Sequence, residues 1–306
     1  MAAELPARFR NEEAARKHLE SIHWPDGPVC PHCGTIGEAS RINGGRKGLM
    51  FCNACRMQFS VTVGTVFERS HVPLHTWLYA NHLICSSKKG ISSHQLSRML
   101  GVSYKTAWFM SHRVREAMAL AKDAGPLGGE GKIVEADEMF IGNKPGKKKH
   151  PGSGGYAHKM AILSLVERNG AVRSVPIENA SSAQIRPEMD AKVSAKARVF
   201  TDGANYYRFL PQALHETVDH SKGEYARGIV HTNTVEGVFS IFRRGMVGTY
   251  QHCGEQHLHR YLNEFDFRYS NRIKLGINDT MRADKALEGI KGKRLTYRRT
   301  IAQQDA

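Results

Sequence analysis

No stretch of about 18 consecutive apolar residues occurs in the 306-residue chain, so no segment reads as a membrane-spanning helix. The opening Met1–Arg8 segment lacks the basic-then-apolar order of a secretory signal, which sets the expectation of a soluble, cytoplasmic chain. Cysteine is scarce, six in all, too few for a disulfide-built scaffold of this length. Acidic side chains are also short, 29 against 44 Lys and Arg, which leaves a formal charge of +15. A hydrophobic fraction of 41% and a charged fraction of 24% are ordinary globular values and exclude collagen-like or wholly disordered chains. At roughly 150 residues per domain, the length is that of about two domains with cores of their own. The positive charge implies a polyanionic partner. Charge alone does not separate nucleic acid from an anionic membrane, but no amphipathic anchor accompanies it.

Four of the six cysteines form two doublets, Cys30-Pro31-His32-Cys33 and Cys52-Asn53-Ala54-Cys55, with eighteen residues between them. Each C-x2-C bends a short chain so that two thiolates face one tetrahedral ion, and four thiolates close the shell. The pattern reads as a structural Zn2+ site; two disulfides or a redox pair are the alternatives. Short strands are expected over 40–43, 48–51 and 58–63, joined by glycine turns, as in a zinc ribbon. Ahead of them, Asn11 caps a helix that runs to about Ile22.

Apolar residues at helical spacing predict a helix over 73–86, followed by a pair of helices. Ser92 starts the first of the pair, Gly101 turns it, and Ser103 caps the second, which runs through Met118. This is the helix-turn-helix arrangement, with Tyr104, Lys105, His112, Arg113 and Arg115 expected outward toward DNA. An ordinary helical hairpin would share the same pattern. The glycine-rich stretch over 121–132 reads as a linker.

Beyond Lys132 the periodicity becomes that of strands. Ile133–Ile141 alternates, with Val134, Ala136 and Glu138 on one face and Ile133, Glu135, Asp137 and Met139 on the other. Strands over 159–167 and 171–177 flank Asn169-Gly170, a hairpin signal. A helix over 182–193 has Pro187 near its first turn, and a strand over 197–201 runs into Asp202-Gly203. A short helix over 206–214, a strand over 216–220 and a long helix capped by Thr232 or Asn233 complete a mixed sheet with helices against it. Asp137 lies within an apolar strand, Asp202 ends another, and Glu236 sits one turn into the last helix, 34 residues after Asp202. Three carboxylates converging from such elements suit Mg2+, which binds oxygen ligands together with substrate phosphates.

At these residues the chain resembles bacterial insertion-sequence transposases with an N-terminal zinc ribbon and a DDE-type catalytic domain, kin to the eukaryotic Merlin elements. The resemblance runs from about Cys30 to Arg272. It is carried by Cys30–Gly34, Val134–Glu138, Val199–Gly203 and the stretch His231-Thr232-Asn233-Thr234-Val235-Glu236-Gly237. It implies a ribonuclease-H-like fold and Mg2+-dependent strand cleavage at element ends, with joining of the freed 3′-hydroxyl to target DNA. Two Mg2+ ions are implied, with Mn2+ as a substitute. Asp137 and Asp202 match the first two carboxylates; Glu236 is favoured as the third, with Asn233 the runner-up. Arg243 stands where relatives carry a phosphate-holding lysine.

The expected layout is an α/β, multidomain chain: a short helix and zinc ribbon over 1–64, a helix-turn-helix region over 65–124, a ribonuclease-H-like domain with a mixed sheet over 125–272, and a basic tail over 273–306. The run Lys147-Lys148-Lys149, in a loop reaching from Lys144 to Gly155, is a further candidate for DNA contact. The His252, Cys253, His257 and His259 cluster lacks the spacing of a second zinc site. The partners implied are double-stranded DNA (terminal inverted repeats and target), a homo-oligomer for synapsis of two ends, and a nucleoid setting. A zinc-ribbon regulator that only binds DNA, or a nuclease or resolvase that cuts without integrating, are the rival readings.

Overall fold

The computed structural model describes residues 5–296 except 45–46, 122 and 150–154. In chain order the first elements are α1 (Glu12–His23), β1 (Ala39–Arg41), β2 (Met50–Cys52), β3 (Gln58–Phe59), α2 (Leu74–Ser86), α3 (Ser93–Leu100) and α4 (Tyr104–Ala117). They are followed by β4 (Ile133–Ile141), β5 (Met160–Glu167), β6 (Val172–Ile177), α5 (Ser182–Lys192), β7 (Arg198–Asp202) and β8 (His215–Val218). The last helices are α6 (Asn233–Gly245), α7 (Leu258–Ser270) and α8 (Asp279–Glu288). None of the helices among the described residues is long and apolar enough to cross a membrane.

The chain divides into two compact units, one of residues 1–87, 91–118 and 279–306, the other of 88–90 and 119–278. In the first, Asn11 accepts from the amides of Glu13 and Ala14 at 2.8 and 3.0 Å and so starts α1 where its side chain can occupy the orphan donors. The three short strands form an antiparallel sheet in the order β1-β2-β3. Ser92 and Ser103 cap α3 and α4 as expected, and Gly101 takes the left-handed conformation at φ 65° between them. Trp77, Leu78 and Ile84 of α2, Leu96 of α3 and Met110 of α4 are fully buried.

The expected basic tail is instead partly a helix of this unit: α8 packs on α2, and buried Asn81 donates to the carbonyl of Ala283 at 2.8 Å. Its apolar Ala283, Ala286 and Leu287 recur at helical spacing and are buried, which is why the segment folds despite its charge. The end of the tail lies outside the described residues.

The second unit is a five-stranded mixed sheet in the order β6-β5-β4-β7-β8, its first three strands antiparallel and the β4-β7-β8 pairs parallel. This is a mixed sheet, as the sequence leads one to expect. All of Met160–Val166 is buried, as a central strand covered on both faces must be. One face packs Met139 and Ile162 against Val235, Phe239 and Phe242 of α6 and Leu262 and Phe265 of α7. The other packs Val134, Ala136, Leu163 and Leu165 against Ile185 and Met189 of α5. Two local expectations fail. The short helix expected over 206–214 is a single 3-10 turn at Asn205–Tyr207. Pro187 lies in the middle of α5 rather than in its first turn.

Candidate active site and metal centre

The parallel register of β4 and β7 pairs Val134 with Val199 and Glu135 with Phe200. Asp137 and Asp202 each lie two residues beyond that last couple, so they face one another where the strands part. Alternation puts Glu135, Asp137 and Met139 on the face covered by α6, and Val134, Ala136 and Glu138 on the other. Both facings agree with the expectation from sequence. Asp202 Oδ1 accepts from the amide of Ala204 at 3.2 Å, and Asp137 Oδ1 from the amide of Glu138 at 2.7 Å.

Asn233, Glu236 and Arg243 all lie on the exposed side of α6, whose opposite side carries buried Val235, Val238, Phe239 and Phe242. Glu236 Oε1 accepts from the Thr232 hydroxyl at 3.0 Å and lies 3.9 Å from Nε2 of His220. Burial, and then the charges of Glu138, Asp202 and Glu236, push the Asp137 carboxyl up to about 8. The charges of Asp202 on β7 and of Glu236 on α6 therefore both act on Asp137 of β4. Like charges acting on Asp137 would be relieved by a divalent cation, and carboxylate oxygens are the donor type Mg2+ takes, but the ligand atoms of the trio do not all lie within 4.8 Å of one another as those of the four cysteines do.

Several residues around this site were not singled out from sequence. Glu135 is wholly buried and accepts from Arg168 and from the first turn of α6. Glu138 accepts from the hydroxyls of both Tyr206, at 2.6 Å, and Tyr207, and burial pushes its carboxyl up to about 7. These two tyrosines also tie β4 to the segment after Asp202. The available signal was three acids within Glu135–Glu138 of a strand otherwise apolar; burying so many without partners is costly.

In the first unit, one ligand atom from each of Cys30, Cys33, Cys52 and Cys55 lies within 4.8 Å of the others. The sulfurs of Cys30 and Cys55 are 3.6 Å apart, and those of Cys33 and Cys52 3.7 Å. Four thiols this close fit a tetrahedral zinc ion and leave no open coordination position.

The expected DNA face of α4 is only partly outward. Tyr104 and Lys105 are exposed, and Tyr104 stacks on His94 of α3 at 4.2 Å. His112, Arg113 and Arg115 are buried, because the second half of α4 is enclosed by α2 and α8. Arg113 donates to the carbonyls of Leu295 and Glu68 and lies over the Phe109 ring, while Arg115 donates to Ser111 at 3.1 Å. These three hold the unit together instead of facing a groove. Lys147, Lys148 and Lys149 are exposed; His150 and residues 151–154 of the same loop lie outside the described residues. The His252, Cys253, His257 and His259 stretch forms no metal-type cluster among the described residues.

Residues 126–270 match the family model of the ISXO2-like transposase domain, and residues 10–58 match that of the transposase zinc-ribbon domain. An uncharacterized protein in transposable element ISH50 of Halobacterium salinarum is 31% identical over 279 residues, covering 85% of this chain and 91% of that protein. A chain in the crystal structure of a pre-cleavage Mos1 transpososome aligns over 89% of this chain and 98% of its own. It is 12% identical with a TM-score of 0.18, a value from which no fold is inferred. The chain belongs to the ISXO2-like, zinc-ribbon family of insertion-sequence transposases.

Proposed function

We infer that the chain cleaves DNA at the ends of its element and joins the freed 3′-hydroxyl to target DNA, with Asp137, Asp202 and Glu236 as the catalytic carboxylates. The observation that supports this reading is the β4-β7 register, which sets Asp137 and Asp202 two residues beyond the Glu135-Phe200 couple, with the charge of Glu236 on α6 also acting on Asp137. Mg2+ held by these carboxylates supplies the charge that activates the attacking oxygen and stabilises the leaving one. Asp137 and Asp202, on two paired strands, provide a rigid pair of oxygen donors, and Glu236 approaches from the helix. Asn233, one turn earlier on the same exposed side, is the alternative third donor. Arg243, two turns beyond Glu236, offers a planar fork to a phosphate on that side.

DNA is held in this reading by the exposed start of α4, Tyr104 and Lys105, and by the Lys147–Lys149 loop. The zinc ribbon adds a second element for recognising the terminal repeats. Synapsis of two ends calls for more than one copy of the chain on DNA, and the setting is the nucleoid of the cytoplasm.

A strand-transfer assay with Mg2+ and end-containing duplex tests the proposal. Wild-type chain should nick the ends and join them to target, and Asp137→Ala and Asp202→Ala should abolish both while binding stays within a few-fold. Cutting without joining would make it a nuclease or resolvase, and binding without cutting a regulator. Asn233→Ala against Glu236→Ala identifies the third donor. Normal cleavage by Asp202→Ala overturns the site.

A further inference from the structure

Glu135 is a carboxylate with no exposure to solvent, two residues before Asp137 on the same face of β4. An unpartnered charge in such a place would not be tolerated. Its two oxygens are partnered separately. One, Oε2, accepts from the amides of Thr234 and Val235 at 2.7 and 3.0 Å. The other, Oε1, accepts from the Thr234 hydroxyl at 2.7 Å and from Nε of Arg168 at 2.5 Å. Thr234 and Val235 belong to the first turn of α6, where backbone amides have no partner within the helix. The residue before α6, Thr232, makes no side-chain cap to that turn. Glu135 thus caps α6 from a different element, and its negative charge meets the positive end of the helix dipole.

Arg168 extends the link. From the turn between β5 and β6 it donates to the carbonyls of Ile229 and His231, at 2.7 and 3.0 Å, and so fixes the segment entering α6. Its guanidinium also lies 4.9 Å over the ring of Phe200, two residues before Asp202 on β7. One buried ion pair therefore touches each of the three elements that bear Asp137, Asp202 and Glu236. Glu236 follows Val235 directly, so the position of its side chain is set by the turn that Glu135 holds.

We propose that Glu135 is a positioning residue: with Arg168 it locks the start of α6 to β4 and sets the distance of Glu236 from Asp137 and Asp202, and hence the affinity of that trio for a divalent cation. The inference rests on the reading of the trio as the metal-binding carboxylates. Glu135 is wholly buried and both of its oxygens are engaged by Arg168, Thr234 and Val235, so its role is one of positioning. A cap that only stabilised the helix would change folding and leave the affinity of the trio alone.

The test uses the full zinc-loaded chain and Tb3+ as an oxygen-seeking probe, followed by luminescence sensitised by Tyr206 and Tyr207. Glu135→Gln keeps the volume but replaces one acceptor oxygen with a donor. It should raise the half-saturating Tb3+ concentration at least tenfold, with hydrogen exchange at the Thr234 and Val235 amides at least tenfold faster. Half-saturating Mg2+ for end cleavage should rise in parallel, with the rate restored at high Mg2+. Thr234→Val, which loses only the hydroxyl bond, should shift Tb3+ binding in the same direction by less, and it carries the test if Glu135→Gln does not fold. Unchanged amide exchange, or Tb3+ binding within twofold of wild type in a folded variant, overturns the proposal. Asp202→Ala separates the two readings: it should abolish the Tb3+ signal, and a signal it leaves intact refutes the trio itself.

Discussion

Removing zinc from the ribbon should unfold that subdomain alone, and the structure indicates how large the effect is. Among the described residues, the ribbon cluster has two buried hydrophobic side chains besides the sulfurs of Cys30 and Cys52: Met50 and Phe59. Each contributes about 1.5–3 kcal/mol by burial. A tetrahedral structural zinc site contributes about 10–16 kcal/mol in zinc-finger peptides near neutral pH, several times as much. The strands are two or three residues long and cannot stand without it. Cys52→Ser removes a ligand whose side chain is wholly buried. The variant should lose its one bound zinc, as measured by metal analysis. Protease cleavage within residues 30–60 should become at least tenfold faster. Fluorescence of Trp24, whose ring packs edge-on against Phe59 at 5.8 Å, should shift toward that of an exposed indole. The melting transition of the unit over 119–278 should stay where it was, since that unit has cores of its own. A Cys52→Ser chain that keeps one zinc, or a zinc-free wild-type ribbon that stays protease-resistant, would refute the reasoning.

Three other perturbations probe the second unit. Gly245→Ala offers a helix-propensity gain of about 1 kcal/mol. Its Cβ, however, would lie 2.7 Å from the Lys89 carbonyl oxygen and 2.4 Å from Cζ of Phe265. Backbone does not yield as a side chain does, so a net loss of about 1–3 kcal/mol is expected in urea unfolding, and a stabilised variant would contradict the packing. Asp266 accepts from the amide and hydroxyl of Ser174, at 2.5 and 2.8 Å, yet burial outweighs these bonds and pushes its carboxyl up from 3.8 to about 7. The folded state then binds the proton more tightly than the unfolded, so this contribution is complete below pH 3.8 and fades as pH rises through 7. Asp266→Asn should flatten the urea-midpoint profile over that window, and parallel profiles would show that Asp266 does not titrate there. Replacing Lys147, Lys148 and Lys149 with alanine should lower the salt slope of DNA binding by about 1–3, near 0.9 for each phosphate that is no longer neutralised. An unchanged slope would remove the loop from the DNA interface.

Much of the local structure was legible in the sequence because it is made by short-range chemistry. Asn11, Ser92 and Ser103 each cap a helix through amides two or three residues away. Gly101 turns α3 into α4 because it alone there takes a left-handed backbone without strain. Alternation within Ile133–Ile141 assigned Glu135, Asp137 and Met139 to one face and Glu138 to the other. Less legible was exposure on a helix enclosed from more than one side. The pattern of α4 leaves polar residues on the face that α2 and α8 go on to cover, and the long stems of Arg113 and Arg115 are buried with their charged ends hydrogen-bonded.

By itself the sequence determined the two C-x2-C doublets, the helix pair and the succession of strands and helices along the second unit, each a matter of spacing along the chain. The resemblance carried by its motifs pointed to Asp137, Asp202 and Glu236, with Asn233 as the alternative third residue. Tertiary structure alone decided that Asp137 and Asp202 stand opposite each other, since that depends on a strand register set some sixty residues apart in sequence. It also decided that Glu135, about a hundred residues away, caps the helix carrying Glu236. A carboxylate's role depends on which donors reach it, and those donors are brought together only when the sheet and helix pack.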